Sequence, residues 1–436
     1  MNLLLIGDSD SQLLACEALC QFPAQDEVKV TINALPREGT PEAVLKRAAN
    51  IGTLWRLKLS QVLTHPQLLN FDAIGVFLTG SKMAEFRTGF QLLSGTSRPL
   101  LFCGFNGVVL EKFQEGISWR LGYDVICLNG NRDLDALKRI TAATPFSIQG
   151  TAITGLTRNV VEAGLPYDKR ERQLVFAEQV VMPRSFEDRA RLVRILAGLA
   201  ERSPGWRVVI KPRVSPEEQT FHRVEKHISK TLLEVLGRPP ANLVISYDNL
   251  ADLLRQSRLM ATVSSTAFFD ALDFGCRPLV MADFGVDARN GSHVFAGSGV
   301  WTELDAVDDL NQLENDLQNP NPAWLQWIGY GMTDGPANLI KALKQQRELL
   351  EEDPGLSTKQ LPPGYITSTR ISFNQLRFEA ESAISEGRLS EAESLLQLAA
   401  SIRPTHRNVK RRLGALRCRN SLLRRLLLAL TYRKLG

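Results

Sequence analysis

Cysteine is sparse in this 436-residue chain and badly spaced for chemistry. The six cysteines, Cys16, Cys20, Cys103, Cys127, Cys276 and Cys418, form no Cys-x-x-Cys pair and no Cys/His cluster at zinc-ligand spacing. That pattern argues against a disulfide framework or a structural metal and for reduced, mostly buried thiols. The amino terminus, MNLLLIGDSD, lacks a basic flank and meets Asp8 after one short apolar run. It fits neither a signal peptide nor a spanning helix, and a cytoplasmic protein is expected. Acidic residues are missing from 407 to 436, where ten Lys or Arg stand with no Asp or Glu and a single aromatic, Tyr432. A nucleic-acid platform would need aromatic residues for stacking, so no nucleic-acid partner is expected.

What is present is a globular composition. A hydrophobic content of 44% over this length supports large cores and two or three domains. The formal net charge is +5, and setting aside the ten cations of the tail leaves −5 for residues 1–406. A mildly acidic body therefore carries a strongly basic tail.

Short apolar runs alternate with amphipathic segments from the start: NLLLIG, SQLLACEALCQF, VKVTINAL, a long helical stretch near 41 to 64, AIGVFLTG, PLLFCGF and YDVICLNG. Strand then helix, repeated, implies a parallel sheet covered on both faces. A second series follows the polar stretch around 166 to 172, with QLVFAEQVV, a helix opened by Ser185 and Asp188, WRVVIKP, NLVISY, LMATV and RPLVMA. The expected fold class is α/β: two tandem Rossmann-like domains, residues 1–165 and 166–345, with an all-helical extension over 346–436. In that extension Ala380, Ala383, Gly387, Ala392, Leu396, Ala399 and Pro404 have the spacing of one tetratricopeptide-type (TPR-like) hairpin, with Ser390 and Glu393 as a capping box. A single such unit cannot bury its own face. It either packs on the body or the tail, or docks a protein partner.

Chemistry concentrates at the strand ends of the second series. In ATVSSTAFFDAL an apolar strand gives way to Ser264, Ser265 and Thr266 and then to a helical pattern with Asp270 a turn inside. The first turn of a helix leaves amides unpaired, small hydroxyl residues let a phosphate approach, and Asp270 could reach a ribose. Ser264 would equally serve as an ordinary N-cap. WRVVIKPRV ends another buried strand with Lys211 and Arg213, a compact cation and a forked one suited to phosphate oxygens. Glu218 and His222 follow and are candidates for the base, the ribose or the leaving phosphate, with a structural role for His222 equally open.

This layout resembles GT-B glycosyltransferases, bacterial capsule Kdo-transferases and sialyltransferases among them, which hold the phosphate of a CMP-sugar with a His-Pro and a Ser-Ser or Ser-Thr motif. Ser264, Ser265 and Thr266 match the second motif; in IKPRV, Arg213 stands in place of the His and Val214 in place of the proline. A nearer resemblance is to an uncharacterised bacterial family of glycosyltransferases, through Asp8-Ser9-Asp10-Ser11, Gly104-Phe105-Asn106-Gly107, and Lys211, Arg213, Glu218, Gln219, Thr220 and His222, over roughly 1–345. The resemblance implies an acceptor-side first domain and a second domain that binds the nucleotide-sugar.

An inverting transfer needs a base for the acceptor hydroxyl and groups that meet the charge of the departing phosphate. On that reading Asp10 is the candidate base, with Asp8 as its orienting group or alternative; both could instead be N-caps. The Asp-x-Asp triplets at 8–10 and 133–135 resemble metal motifs, but the first falls early and the second in a helical pattern, so neither a metal nor a cofactor is expected. Gly104, Asn106 and Gly107 form either an acceptor or sugar loop or a plain tight turn. NGSHVFAGSGVW places His293 as a further candidate cleft residue.

The tail, LRCRNSLLRRLLLALTYRKL, reads as a basic amphipathic helix suited to an anionic membrane surface on the inner face of the cell membrane. The expected function is transfer of a sugar from a nucleotide donor, CMP-sugar favoured, to a capsule, lipopolysaccharide or other surface-glycan or lipid-linked acceptor. A sugar-nucleotide epimerase of the same fold and a non-catalytic scaffold acting through the helical extension are the alternatives.

Overall fold

A computed structural model describes residues 1–20, 28–36, 42–94, 98–105, 107–108, 113–142, 150–156, 165–180, 182–216, 226–352 and 372–431, apart from the side chains of Asp10 and Ala43. Contacts divide the chain into two units. One comprises Met1–Asn106, Gln114–Thr157 and Met332–Gly436; the other comprises Gly107–Phe113 and Arg158–Gly331.

The first unit is built along the chain from β1 (Asn2–Gly7), α1 (Asp10–Leu19), β2 (Lys29–Ala34), α2 (Glu42–Ile51), β3 (Thr53–Trp55), α3 (Leu59–Leu63), β4 (Ala73–Phe77), α4 (Ser81–Leu93), β5 (Leu100–Cys103), α5 (Phe113–Ser118), β6 (Val125–Leu128), α6 (Asn131–Thr141) and β7 (Thr151–Ile153). Its seven strands pair in the order β3-β2-β1-β4-β5-β6-β7, all parallel. Because helices cover both faces, β1 and β4 are unbroken apolar runs rather than alternating ones. Gly75 in β4 is demanded by packing: a Cβ there would stand 2.5 Å from the ring of Phe102 and 2.7 Å from Leu5.

The second unit repeats the plan with β8 (Glu171–Ala177), α7 (Phe186–Arg202), β9 (Arg207–Lys211), α8 (Ile228–Leu236), β10 (Leu243–Ile245), α9 (Leu250–Gln256), β11 (Ser257–Thr262), α10 (Ala267–Asp273), β12 (Arg277–Met281), β13 (Trp301–Thr302), α11 (Leu310–Asp316) and α12 (Pro322–Ile328). Its strands pair in the order β10-β9-β8-β11-β12-β13, again all parallel. The two Rossmann-like windings are those the sequence implies. Ser185 caps α7 as its spacing predicts, accepting from the amide of Asp188 at 3.0 Å.

Three features differ from the sequence reading. The helical stretch near 41 to 64 is broken by the edge strand β3, because Gly52 approaches the carbonyl of Val30 where no Cβ fits, and because Trp55 packs on His65 with ring centroids 4.2 Å apart. The chain also returns to the first sheet before the boundary expected at 345. Helix α13 (Gly335–Glu352) buries Leu339, Ala342, Leu343 and Leu350 in the first core, and Asn338 donates to the carbonyl of Ile153 at 3.0 Å. Four more helices follow among the described residues, α14 (Phe373–Ser385), α15 (Leu389–Ile402), α16 (Arg407–Leu416) and α17 (Ser421–Leu430). Ser390 lies inside α15 rather than capping it, since Gly387 turns the chain at φ +76° and the helix starts at Leu389. The hairpin α14–α15 packs on the first unit: Lys58 pairs with Glu391 at 2.7 Å, and Thr64 bonds Ser394 at 2.9 Å.

The polar stretch at 166–172 hides a buried anchor. The guanidinium of Arg170 donates to the carbonyls of Leu165 (2.8 Å), Leu254 (3.3 Å), Ser257 (3.4 Å) and Phe274 (2.8 Å), tying the start of β8 to the ends of α9 and α10. Arg170→Ala is expected to lower unfolding free energy by about 3 kcal/mol, because it strands several buried acceptors. Arg170→Lys should recover only part of that loss, since one ammonium cannot reproduce the fork; urea unfolding of the two variants measures both effects.

Candidate functional site

A sheet wound outward in two directions parts its flanking helices at the switch point, and ligands enter the crevice at the strands' carboxyl ends. In the second sheet that point lies between β8 and β11. A side chain crosses it: Gln179, just past β8, accepts from the amide of Ser264 through Oε1 at 3.0 Å and holds Nε2 3.3 Å from Ser264 Oγ. Ser264 is only 2% exposed. It bridges the two strand ends and is not the helix cap. Thr266 is the cap residue, without a side-chain cap bond; before it, Ser265 Oγ accepts from the amide of Ala267 at 3.2 Å, while the Ser265 amide donates to Thr262 Oγ1 at 3.1 Å. Thr266 is exposed, and neither its hydroxyl nor its amide bonds to the described residues. Asp270 is half-buried in the first turn of α10.

The cations stand one strand further out. Lys211 closes β9 in register with Ala177 of β8, and its Nζ donates to the carbonyl of Pro212 at 2.7 Å. Arg213 is exposed, and its guanidinium has no ion pair among the described residues. Between the cations and the hydroxyl joint lies Glu178, 8% exposed and held by Arg189 of α7 at 2.7 Å. Arg189 also donates to the carbonyls of Gln179 and Val180, so it both offsets the carboxylate and shapes the turn that aims Gln179. Two strand spacings, about 10 Å, separate the ends of β9 and β11 on one edge of the sheet. Glu218 and His222 lie outside the described residues.

His293 follows β12 on the same edge. It is exposed on a single turn, Ser292–Phe295, that begins after Gly291 at φ +69°. Asp287 fixes this loop by accepting from the amide of Asn290 at 2.9 Å, and that bond holds its carboxyl below the usual carboxylate range.

In the first sheet the switch point lies between β1 and β4, and it too is bridged. Asp8, 5% exposed after β1, pairs with Lys82 in the first turn of α4 at 2.5 Å. Neither aspartate caps α1. Ser9 does, accepting from the amide of Gln12, whose Oε1 accepts from the amide of Asp8 at 2.8 Å. Asp10 is the first residue of α1, with its side chain outside the description. Gly104 is buried, and a Cβ on it would stand 2.8 Å from Phe77 and 3.1 Å from Cys127, so packing alone demands the glycine. Its carbonyl accepts from Arg120 at 2.9 Å. Gly107, at φ +150°, has open space where a Cβ would stand, and Asn106 is not described. Asp133 of the second Asp-x-Asp triplet is 2% exposed in the first turn of α6, beside Arg132 and accepting from the amide of Asn129. Burial pushes its carboxyl up against the opposing pull of Arg132.

Sequence reasoning missed Gln179, Arg189 and Lys82. The signal for Gln179 was present: Glu-Gln directly follows the apolar run QLVFA, as Lys-Pro-Arg follows WRVVI. Lys82 joins Asp8 across 74 residues, whereas Arg189 reaches back only 11 residues to Glu178, from a helix face that its periodicity alone marks as covered.

Two parallel sheets of seven and six strands with trailing helices constitute the GT-B two-domain α/β architecture. The fold is similar to a putative UDP-N-acetylglucosamine 2-epimerase from Listeria monocytogenes, with TM-score 0.52 and 13% identity over 80% of this chain and 97% of that one. More distant likenesses are UDP-GlcNAc 2-epimerase from Neisseria meningitidis bound to UDP-GlcNAc (TM-score 0.43, 12% identity, 81% and 100% covered) and MurG from Acinetobacter baumannii (TM-score 0.41, 13% identity, 81% and 99% covered). At such identities the likeness concerns the fold alone. No curated protein matches the sequence. A family does match, over residues 3–345, and the chain belongs to it: the family described as Putative glycosyltransferase (DUF6716).

Proposed function

We propose that the protein transfers a sugar from a nucleotide donor to a surface-glycan or lipid-linked acceptor, with inversion at the anomeric carbon. The observation that supports this most directly is the edge of the second sheet. There Lys211 and the exposed guanidinium of Arg213 stand on one side of the β8/β11 switch point, and the hydroxyls of Ser265 and Thr266 stand on the other. Cations and small donors on one strand edge suit a phosphate group. Gln179 and Ser264 hold the joint in place rather than offering it, because the Ser264 amide is already bonded. The Ser-Ser-Thr resemblance favours a CMP-sugar, and Asp270 or His293 is suited to the ribose or the sugar.

In the reaction the acceptor oxygen attacks the anomeric carbon as the bond from that carbon to the phosphate oxygen breaks. The electron pair leaves with the nucleotide, where Lys211 and Arg213 would meet its charge without a metal. The acceptor's proton passes to a carboxylate, for which Asp10 is proposed, with Asp8, paired to Lys82, as the orienting group or alternative.

Titration with CMP, UDP and GDP and their sugar conjugates, read as thermal stabilisation, tests the donor class. CMP compounds are expected to stabilise most, whereas a response to UDP compounds alone would reassign the base. Arg213→Ala is expected to weaken nucleotide affinity about tenfold to a hundredfold, the worth of a charged hydrogen bond. Asp10→Asn is expected to cut turnover by roughly 10²–10⁴-fold and leave nucleotide affinity unchanged. Product analysis that finds only an isomerised donor sugar would replace transfer with epimerisation.

A further inference from the structure

Helix α17 leaves its most apolar face uncovered. Leu422, Leu423, Leu426 and Leu430 fall at i, i+1, i+4 and i+8, on one side of the helix, and are 75%, 46%, 57% and 67% exposed. No residue of α17 is buried; Arg424, Leu427 and Leu428 are half-buried on the opposite side. The same tail carries unopposed positive charge on α16, on α17 and on the link between them. Arg407, Lys410, Arg411, Arg419 and Arg425 are exposed and have no ion pair among the described residues. Two other cations of the tail do have partners, Arg412 on Glu381 and Arg417 on Glu393 at 2.8 Å, and these fasten α16 to the hairpin α14–α15. The fold thus uses two arginines to mount the tail and leaves these five cations exposed on a chain segment that also carries four exposed leucines.

We propose that α17 and the cations around it form a docking surface for an anionic lipid bilayer, with the helix lying in the headgroup plane. Charge complementarity selects this occupant. A second copy would bring a like-charged tail against the first, because residues 407–436 contain no acid to answer ten cations. Nucleic acid would pair with the cations but not with a row of leucines. A bilayer with acidic headgroups answers both, taking leucine side chains to the acyl boundary and holding arginines at the phosphates. Ten residues of helix extend about 15 Å, half the thickness of a hydrocarbon core, so the helix rests on the membrane and does not cross it. No described helix is long and apolar enough to span. The docking does not depend on the reaction proposed above.

Co-sedimentation of the full chain with phosphatidylcholine vesicles, with and without one-quarter phosphatidylglycerol, tests the surface. Binding to the anionic vesicles is expected to exceed binding to neutral ones at least tenfold and to weaken with added salt. Leu422→Glu with Leu426→Glu should abolish it with unchanged circular dichroism and melting, since neither side chain is buried. Arg419→Glu with Arg425→Glu should reduce it at least tenfold. Equal binding to both vesicle types, or binding that survives the leucine changes, overturns the proposal. So does a dimer in solution that the leucine changes dissociate without any vesicle binding, and so does tight binding to a nucleic-acid oligonucleotide that the leucine changes leave intact.

Discussion

A parallel sheet that grows in both directions from its first strand must send its flanking helices to opposite faces at that strand, and the gap so created has to be filled. Both sheets here fill it with one polar bridge. In the first unit it is an ion pair, Asp8 to Lys82; in the second it is a neutral one, Gln179 to Ser264. The difference matters for what each edge can offer a ligand. A buried carboxylate answered by an ammonium contributes no net charge to the first edge, where Asp10 follows at the start of α1. The carboxamide bridge adds no charge, so Lys211 and Arg213 supply the positive charge of the second edge, once Arg189 has offset Glu178.

The neutral bridge also fixes which donors remain for a ligand. The Ser264 amide is committed to Gln179, the Ser265 amide to Thr262 and the Ala267 amide to Ser265, leaving Thr266 exposed with no side-chain bond to the described residues. A phosphate at this edge would be met by side chains, with Arg213 and Lys211 supplying the charge. Such an arrangement fits a leaving group whose charge grows in the transition state, because fixed cations need no reorganisation at the moment the bond breaks.

Much of this was legible along the chain. The strand MAT, the hydroxyl joint and the helix beyond it appear in the sequence as an apolar run, three small polar residues and a restart at helical spacing, and the structure ends β11 at Thr262 and starts α10 at Ala267. Local periodicity carries such information because covered parallel strands must be apolar throughout. What connects distant segments was not legible. Gln179 meets Ser264 across 85 residues, and α13 returns to the first sheet after the whole second unit has been built. Arg170 looks like a linker residue among polar neighbours, yet it is 6% exposed and ties carbonyls from several turns. For Gln179 and Arg170 a polar side chain is spent on another side chain or on backbone groups far away, and composition does not distinguish that from solvation.

The central claim is that a nucleotide's phosphate settles between the end of β9 and the joint after β11. Hydrogen–deuterium exchange of the full chain with and without saturating nucleotide tests it most directly. The account predicts slowed exchange in peptides covering 211–216 and 264–267, and a loss of that protection in Arg213→Ala. Protection confined to other segments, or none at these two while the nucleotide is bound, would contradict it.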